Sequence, residues 1–450
     1  MGKLRFTEKI GYALGDVASN FYWRVFDLFL LIFYTDVFGL PAAAVGTMML
    51  VTRIIDAVSD PMMGAVADRT KTRLGKFRPY LLWGIVPLAA AGVLTFTVPD
   101  VDTGGKLIWA YATYIFMMLA YTFINVPYGA LIGVVTRDSK DRTALTSFRF
   151  IGAFTGGSLV AYFTPKLVLW LGQGNEALGW QLAMGLYGAL AALLFTLTFF
   201  ATRERVVPVS SEPTPVWQDI RDLTRNKPWL ILFSLALVIM MTISLRASTG
   251  TFYFKYYVER PDLIGSFSMT YMLALMVGAA STPVLTKFLG KKQLLLMLMS
   301  LVTVLSAVYF FVPKDQIVLM YVLQAAIGVC LGPKSPLVFS MYADTADYSE
   351  WKTGRRATAM VFSAAAFSQK LGGALAGALI GWLLGALGYA ANEVQSDASA
   401  MGIVLLMTLI PAFFAGLSVA LIQFYRLDEA TIETLNRELE ERAPEKEFGV

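Results

Sequence analysis

Long apolar runs, separated by short polar segments, recur along the whole chain. A helix needs about 20 consecutive apolar residues to cross the hydrocarbon core of a bilayer. The runs are continuous, whereas the strands of a membrane β-barrel alternate between apolar and polar residues. The pattern predicts an all-α membrane protein with twelve transmembrane helices, at 17–39, 42–66, 79–98, 107–135, 145–171, 180–201, 229–254, 263–286, 292–312, 316–342, 357–388 and 400–425.

The composition agrees with this pattern. Hydrophobic residues make up 56% of the 450 residues, charged residues make up 15%, and the mean hydropathy is +0.60. A soluble protein of this length would need more charge on its surface. The polar N-terminal residues do not precede a short apolar segment with a small-residue cleavage site, so we expect no signal peptide.

The basic residues are distributed unevenly between the two sides of the predicted membrane. The N-terminal segment and the loops that follow even-numbered spans contain 22 lysines and arginines, whereas the opposite loops contain 4. Cytoplasmic loops of membrane proteins carry such an excess. We therefore expect a multi-pass protein of the bacterial cytoplasmic (inner) membrane, with both termini in the cytoplasm.

The longest interior polar stretch, 203–228, lies between the sixth and seventh spans and contains four prolines. It predicts a six-helix bundle at 1–202, a cytoplasmic linker at 203–228, a second six-helix bundle at 229–425 and a cytoplasmic tail at 426–450. Two such repeats typically flank a binding site near the membrane midplane. In the tail, Ile432, Leu435 and Leu439 recur at helical spacing, which fits either a solvated helix or a regulatory contact.

Three charged residues, Arg53, Asp56 and Asp60, occur within the second predicted span. Each charge at bilayer depth costs roughly 2.5–3.5 kcal/mol. The two aspartates are four residues apart and share a helix face. Either Arg53 simply compensates their charge, or the excess negative charge forms a site for a cation or proton. Ser59 and Thr122 offer neutral oxygens to such a cation.

Lys370 lies in the middle of the eleventh span, where a lone ammonium group needs a carboxylate partner. Asp56 or Asp60 is the natural candidate, because the lysine would then neutralise the acids when the cation leaves. A purely structural salt bridge is the alternative.

Aromatic faces stack on sugar rings, and amide and guanidinium groups bind hydroxyls in a fixed orientation. Residues of these types in the first, fourth and fifth spans predict a cavity that binds a sugar: Asn20, Trp23, Arg24, Tyr121, Asn125, Tyr128 and Arg149. Arg24 could instead pair with Asp27, three residues further on.

Other function classes lack their residues. The chain contains no histidine and only one cysteine, Cys330 within a predicted span, so an intrachain disulfide and histidine metal sites are excluded. No phosphate-binding G-x-x-x-x-G-K-[ST] motif occurs. The basic residues fall in short loops and do not indicate nucleic-acid binding. We expect no enzyme activity and no cofactor, and a monomer whose partners are membrane lipid and a small molecule.

Several motifs resemble those of known transporters. The loop after the second span, with A-D-R at 67–69 and G-K-F-R-P at 75–79, resembles the signature of major facilitator transporters. More specifically, the chain resembles the glycoside-pentoside-hexuronide:cation symporters, including the melibiose-permease-like members, in three motifs: Y-T-D-V-F-G-L at 34–40, R-I-I-D-A-V-S-D-P at 53–61 and A-D-T-A-D-Y at 343–348.

The resemblance implies import of a sugar, glycoside or uronide with Na⁺ or H⁺ by alternating access; an exporter or lipid transporter on the same scaffold is the alternative. It assigns Asp56, Asp60 and Thr122 to the cation site, with Ser59 where melibiose permease has asparagine. Lys370 and Arg149 match residues of the cavity and of its cytoplasmic side. We further expect an inner gate in the cytoplasmic loops, formed by Arg69, Arg73, Arg142, Asp344, Asp347 and Arg356.

The chain also departs from that pattern. Where melibiose permease holds its sugar with two aspartates and a tryptophan, this chain has Asn20, Asn125 and Gly129. The resemblance therefore predicts a sugar other than an α-galactoside bound in that manner. The particular sugar and the choice between Na⁺ and H⁺ stay open.

Overall fold

The computed structural model describes residues 4–136, 139–205, 221, 223–353, 358–427 and 429–442. Its regular structure in these ranges is helical, apart from one isolated bridge between Thr72 and Gly75. The α-helices are α1 (Phe6–Ile32), α2 (Ala42–Arg69), α3 (Arg78–Trp83), α4 (Ile85–Thr95), α5 (Thr103–Val135), α6 (Ser139–Gly172), α7 (Glu176–Ala201), α8 (Lys227–Phe252), α9 (Ile264–Leu285), α10 (Lys291–Tyr309), α11 (Ile317–Leu331), α12 (Lys334–Thr353), α13 (Thr358–Ala386), α14 (Asp397–Met407), α15 (Leu409–Gln423) and α16 (Glu429–Arg442). Five-residue π-helices, Phe33–Val37 and Tyr253–Tyr257, follow α1 and α8, and a 3-10 helix at Pro261–Leu263 precedes α9.

These helices cover all twelve predicted spans. Two helices form the third, tenth and twelfth spans, which are interrupted at Gly84, at 332–333 and at Thr408. Pro333 accounts for the break in the tenth span, because proline cannot donate the backbone hydrogen bond of a helix interior and suits a helix start. Side chains of Asp102 and Asn175 cap the starts of α5 and α7 by accepting hydrogen bonds from the backbone N–H three residues on, each at 3.1 Å.

Nine helical segments within the described residues are long and apolar enough to cross a membrane, and they coincide with nine of the predicted spans. The first, fifth and eleventh predicted spans lie in α1, α6 and α13, whose sequences are more polar or richer in small residues. In α1, for example, Asp16, Arg24 and Asp27 interrupt the apolar run. The predicted all-α membrane fold is confirmed.

The chain divides into two compact units. The first comprises Met1–Ser210, Ala247–Leu273 and Gly377–Met407, and the second comprises Ser211–Arg246, Ala274–Ala376 and Thr408–Val450. These units are not the two bundles predicted at 1–202 and 229–425, because two segments of the C-terminal half group with the N-terminal half. A grouping by contacts does not test the predicted order of bundle, linker, bundle and tail along the chain, so that order stays a prediction.

In the first unit, α1 packs along α6 and α7, and α2 packs along α5. Glycines permit the closest approach: a Cβ on Gly152 would lie 2.5 Å from the carbonyl oxygen of Ala13, and one on Gly156 would lie 3.0 Å from the Cα of Val17. Small residues at such crossings allow helix backbones to pack closely in a membrane. This packing places the polar side chains of α1 beside those of α5 and α6.

In the second unit, α10 packs against α15 and α11, and α16 packs on α12. The tail helix is held by Leu435, which is buried, and by a hydrogen bond of 2.7 Å from the Trp351 indole to Glu438. The tail is therefore docked rather than wholly solvated.

Candidate functional site

A buried ion pair occupies the middle of the second span. Arg53 Nη1 lies 3.0 Å from Asp56 Oδ2, and the two residues are 9% and 1% exposed. They are three residues apart on α2, so they share one face of the helix. The sequence left open whether Arg53 compensates the charge of the two aspartates or whether they form a site for a cation or proton. In this conformation Arg53 compensates the charge of Asp56.

Asp60 connects α2 with α5. The Thr122 hydroxyl donates a hydrogen bond of 2.9 Å to Asp60 Oδ1. On the same turn of α2, the Ser59 hydroxyl donates to the backbone carbonyl of Asp56 at 3.4 Å. The four residues predicted for the cation site thus lie on two neighbouring helices, with Asp60 and Thr122 in direct contact.

Each of these two helices also contains a proline close to the contact, Pro61 in α2 and Pro127 in α5. A proline removes the helical hydrogen bond to the carbonyl four residues earlier. The carbonyls of residues 57 and 123, adjacent to this contact in sequence, are therefore free of that helical hydrogen bond and could offer oxygens to a hard cation.

An open cavity of about 610 Å³ reaches the neutral oxygens of this group. Its wall includes Ser59 and Thr122, and the remaining residues are apolar: Ile55, Val58, Met62, Met63, Val66, Leu119 and Phe123. In the described part of the chain, no three histidine, cysteine, aspartate or glutamate side chains cluster as metal ligands. A cation bound here would therefore depend on hydroxyl and carbonyl oxygens beside the carboxylates.

Trp23 links this group to the aromatic residues predicted to bind a sugar. The Arg53 guanidinium lies over the Trp23 ring, 4.8 Å from its centre. The ring of Trp23 also stacks with Tyr121, with centroids 5.8 Å apart and an interplanar angle of 29°. Contacts thus join Asp56 to the aromatic pair through Arg53, whereas Asp60 contacts Thr122, the residue after Tyr121 on α5.

Arg24 and Asp27 pair with each other on α1, with Nη1 and Oδ2 3.0 Å apart. This is the alternative that the sequence offered to a sugar contact by Arg24. The arginine lies against α6, where a Cβ on Gly157 would be 3.2 Å from its Nε. A sugar contact by Arg24 therefore stays a prediction, and in this conformation the sugar would share the guanidinium group with Asp27.

Asp16, which the sequence analysis did not select, is the centre of a second buried polar group. Arg149 Nε donates to Asp16 Oδ2 at 2.6 Å, and the Tyr128 hydroxyl donates to the same oxygen at 2.9 Å. Tyr12 stacks on Tyr128 with centroids 4.9 Å apart. The sequence signal was available, because Asp16 is a carboxylate near the start of the first span.

Two predicted sugar ligands, Arg149 and Tyr128, are thus held by Asp16. The Arg149 side chain is 32% exposed, whereas that of Asp16 is 10% exposed. The Asn20 amide donates to the backbone carbonyl of Asp16 at 2.8 Å. Asn125 is half-buried on α5, one turn beyond Tyr121.

Lys370 is half-buried on α13 in the second unit, so its predicted pairing with Asp56 or Asp60 stays a prediction. Sequence reasoning overlooked two other cations in that unit. Lys334, 2% exposed at the break in the tenth span, donates to Gln369 Oε1 at 2.8 Å. Arg246 is fully buried in α8, where it donates to Gln324 and lies over the Tyr309 ring.

The predicted inner-gate residues are spread over several elements. Arg69 and Arg73 are exposed at the end of α2 and in the loop that follows. Asp344 accepts hydrogen bonds of 2.9 and 2.7 Å from Lys291, and Asp347 is half-buried on α12. Two members, the side chain of Arg142 and the whole of Arg356, lie outside the described residues. The gate as a whole stays a prediction.

Glu204 organises the loop after the second span, and sequence reasoning did not select it. Its carboxylate accepts hydrogen bonds of 2.8, 2.8 and 2.9 Å from the backbone N–H groups of Lys76, Phe77 and Arg78. The turn requires a positive φ of 114° at Gly75, which glycine adopts without strain.

A second carboxylate, Glu8, binds Arg205 just beyond Glu204. Burial alone would raise the pKa of Glu8, but hydrogen bonds and charge from Arg205 and Arg5 hold the pKa below its ordinary value. Ion pairs and capping hydrogen bonds therefore fix the chain where it leaves the sixth span.

Comparison with known proteins places the chain among membrane transporters. The family described as MFS/sugar transport protein matches residues 11–429. The chain belongs to this family. Among its relatives in the MFS/sugar transport family, the uncharacterized symporter YnaJ of Bacillus subtilis is 40% identical over 98% of this chain and 96% of its own. The isoprimeverose transporter of Lactiplantibacillus pentosus is 34% identical over 94% of this chain and 89% of its own.

A solved structure supports the same fold. A bacterial homologue of the human lysosomal transporter Spinster has a TM-score of 0.67 at 13% identity and covers 96% of this chain and 97% of its own. At this identity the likeness concerns the fold alone. The predicted family is thus confirmed, and the protein is a multi-pass membrane transporter of the MFS/sugar transport family.

Proposed function

We propose that the protein is a secondary active symporter that imports a sugar, glycoside or uronide together with Na⁺ or H⁺ by alternating access. Membership of the MFS/sugar transport family supports this function, as do relatives named as symporters and as an isoprimeverose transporter.

One observation carries the proposal further than the family does. The Asp56–Arg53 pair of α2 contacts the aromatic pair where Arg53 lies over Trp23, and Asp60 contacts Thr122, the residue after Tyr121 in the chain. Symport requires that bound cation raise the affinity for sugar, and that sugar raise the affinity for the cation by the same factor. Direct contact between the two groups is the simplest physical route for that coupling.

Within the cation group, Asp56 and Asp60 have different roles in the proposal. Asp56 is held by Arg53, so its charge is largely balanced. Asp60 lies against the Thr122 hydroxyl, which together with backbone carbonyls suits Na⁺. A proton on Asp60 would neutralise the same charge, so both ions are candidates.

The membrane potential supplies enough free energy for useful accumulation. One positive charge that enters down 100 mV contributes about 2.3 kcal/mol. A tenfold concentration ratio corresponds to about 1.4 kcal/mol, so this charge supports about forty-fold accumulation of sugar before any ion gradient is added. We place both termini in the cytoplasm, as the excess of lysine and arginine in the even-to-odd loops indicates.

The test is uptake of a panel of labelled glycosides, pentosides and hexuronides by proteoliposomes, with the Na⁺ gradient and the pH gradient varied independently. We expect concentrative uptake of one member of the panel that follows one of the two gradients. Counterflow without any gradient-driven accumulation would contradict coupling. Movement of substrate only outward, or of amphipathic lipids only, would favour an exporter or lipid transporter.

A further inference from the structure

A buried polar cluster outside the proposed site surrounds Asp36, at the end of the first span. The side chain of Asp36 is 2% exposed and lies 2.6 Å from Lys255 Nζ. The hydroxyls of Tyr256 and Tyr389 also donate to this carboxylate. Asn392 donates its side-chain amide to the backbone carbonyl of Asp36 at 2.7 Å. The carboxylate thus gathers groups that lie 219 to 353 residues away in the chain, and the backbone carbonyl of the same residue binds a group 356 residues away.

The two main partners lie on matching backbone structures. Asp36 is in the π-helix Phe33–Val37 and Lys255 is in the π-helix Tyr253–Tyr257, at the ends of the first and seventh spans. Each π-helix closes with a backbone hydrogen bond from the fifth residue on, at 2.9 and 3.0 Å, and a residue with positive φ follows each of them, Gly39 and Glu259. π-Helical turns frequently occur at functional sites. The contact between Asp36 and Lys255 places one π-helix against the other.

Helix contacts continue inward from the cluster. The hydroxyls of Ser248 and Thr251 in α8 donate to the backbone carbonyls of Asp27 and Leu28 in α1. These bonds hold the last turns of α1 and α8 together below the cluster. Asp27 and Asp36 are nine residues apart, which is about 13 Å along a helix. The ends of the first and seventh spans are therefore joined twice, at the cluster and again at Asp27 and Leu28.

We propose that Asp36 is the latch of the gate at the membrane face opposite the lysine- and arginine-rich loops, and that this gate opens only when Asp36 releases Lys255, Tyr256 and Tyr389. The inference rests on the proposed function, because a gate at that face has a role only in a transport cycle. It assigns Asp36 a positioning role, apart from the cation and sugar groups.

The chemistry suits a switch with two states. Closing the gate places the carboxylate among the ammonium group of Lys255 and the hydroxyls of Tyr256 and Tyr389, beside the hydroxyl of its own neighbour Thr35. Opening returns the carboxylate and its three distant partners to water. Burial and the charge of Asp36 raise the pKa of the Tyr389 phenol, so this hydroxyl stays protonated and donates. Hydrogen bonds to a charged group are stronger than neutral ones. Neutralising Asp36 should therefore weaken its contacts with Lys255, Tyr256 and Tyr389 together.

The test measures access to a single cysteine below the cluster. Cys330→Ala removes the native thiol, and Ser248→Cys places a reporter on α8 beside Asp27, inward of the cluster. A membrane-impermeant maleimide is applied from the outside of intact cells, and the labelling rate of the reporter cysteine is measured. We expect Asp36→Asn to raise this rate at least about tenfold, which corresponds to about 1.4 kcal/mol. Tyr389→Phe, which removes one donor and no charge, should raise the rate less.

Asp262→Asn is the matched control, because Asp262 also pairs with a basic residue, Arg260, but on the exposed surface. Its labelling rate should equal that of the parent. Equal labelling rates in the parent, in Asp36→Asn and in Lys255→Met would overturn the latch. If Asp36→Asn does not reach the membrane, Tyr389→Phe and Lys255→Met apply the same test.

The outcome is separable from that of the proposed function. A protein that transports none of the glycosides, but whose reporter cysteine is labelled faster in Asp36→Asn, would retain the latch and lose the sugar assignment. A protein that accumulates sugar with unchanged labelling in all variants would retain symport and lose the latch.

Discussion

The guanidinium carbon of Arg53 lies 4.8 Å from the centre of the Trp23 ring, so the ion pair of the second span contacts the first span through an aromatic face. A cation over an aromatic ring contributes about 0.5–2 kcal/mol, depending on how far it is desolvated. Trp23 stacks on Tyr121 as well. It is therefore the residue through which a change at Asp56 would reach the predicted sugar site.

The first prediction concerns Trp23→Leu. We expect the affinity for the transported sugar to fall about tenfold, since stacking and cation–π contacts are lost together. We also expect the cation to improve sugar affinity less than it does in the parent. Calorimetric titration with sugar at low and saturating cation measures both effects. Trp170→Leu is the control, because Trp170 is 72% exposed. If the cation improves sugar affinity in Trp23→Leu as much as in the parent, Trp23 does not couple the two sites.

The second prediction concerns the buried pair. Asp56→Asn leaves the Arg53 guanidinium buried without its carboxylate, which should lower the free energy of unfolding by about 3–5 kcal/mol. Arg53→Met combined with Asp56→Asn should recover part of the loss, because no buried charge is then left behind. Thermal melting in detergent micelles tests both variants. Asp100→Asn, at an exposed position, is the control and should melt at the same temperature as the parent. A double variant less stable than Asp56→Asn would contradict the argument that an unpaired buried charge causes the loss.

The third prediction concerns the oxygen ligands of the cation. Thr122→Val keeps the shape of the side chain but removes the hydroxyl that contacts Asp60. If this group binds the ion, the cation concentration for half-maximal uptake should rise about tenfold, a loss of about 1.4 kcal/mol. Uptake measured against Na⁺ at fixed pH, and against pH at fixed Na⁺, shows which ion is affected.

Thr196→Val is the matched control for that experiment, because its hydroxyl donates within its own helix, α7, to the carbonyl of Ala192 at 2.7 Å. It should leave both titrations unchanged. If Thr122→Val also leaves both unchanged, the cation does not bind at Asp60 and Thr122.

Apolar runs were sufficient to predict the helices, because crossing a membrane requires long stretches without charge. At nine of the twelve predicted positions, the described residues form a helical segment long and apolar enough to cross. The same rule identified Asp56 and Asp60, since a carboxylate inside such a run needs a reason to be there. Sequence spacing also suggested the pairing of Arg24 with Asp27, which requires only that two residues share a helix face.

The pairing of Asp16 with Arg149 could not be found in this way. It joins residues 133 apart, and only the close crossing of α1 and α6 at Gly152 and Gly156 brings them together. The contacts of Glu204 with a distant turn depend on tertiary packing in the same manner. Lys334 and Arg246 are a different case: they stand inside apolar runs as Asp56 does, and the rule that identified Asp56 applies to them equally.

The last prediction concerns the contact between α2 and α13. A Cβ on Gly381 would lie 2.4 Å from the carbonyl oxygen of Ala42, so Gly381→Ala requires the two backbones to move apart. Overpacking of this kind costs about 1–3 kcal/mol, and the variant should melt below the parent. Gly64→Ala, also in α2, is the control, because the nearest atom to its added Cβ is 4.0 Å away. Alanine there should stabilise the helix by about 0.5–1 kcal/mol through its better helix propensity. If Gly381→Ala melts with the parent while Gly64→Ala melts higher, the two helices can separate without cost, and the glycines of α13 do not hold this crossing together.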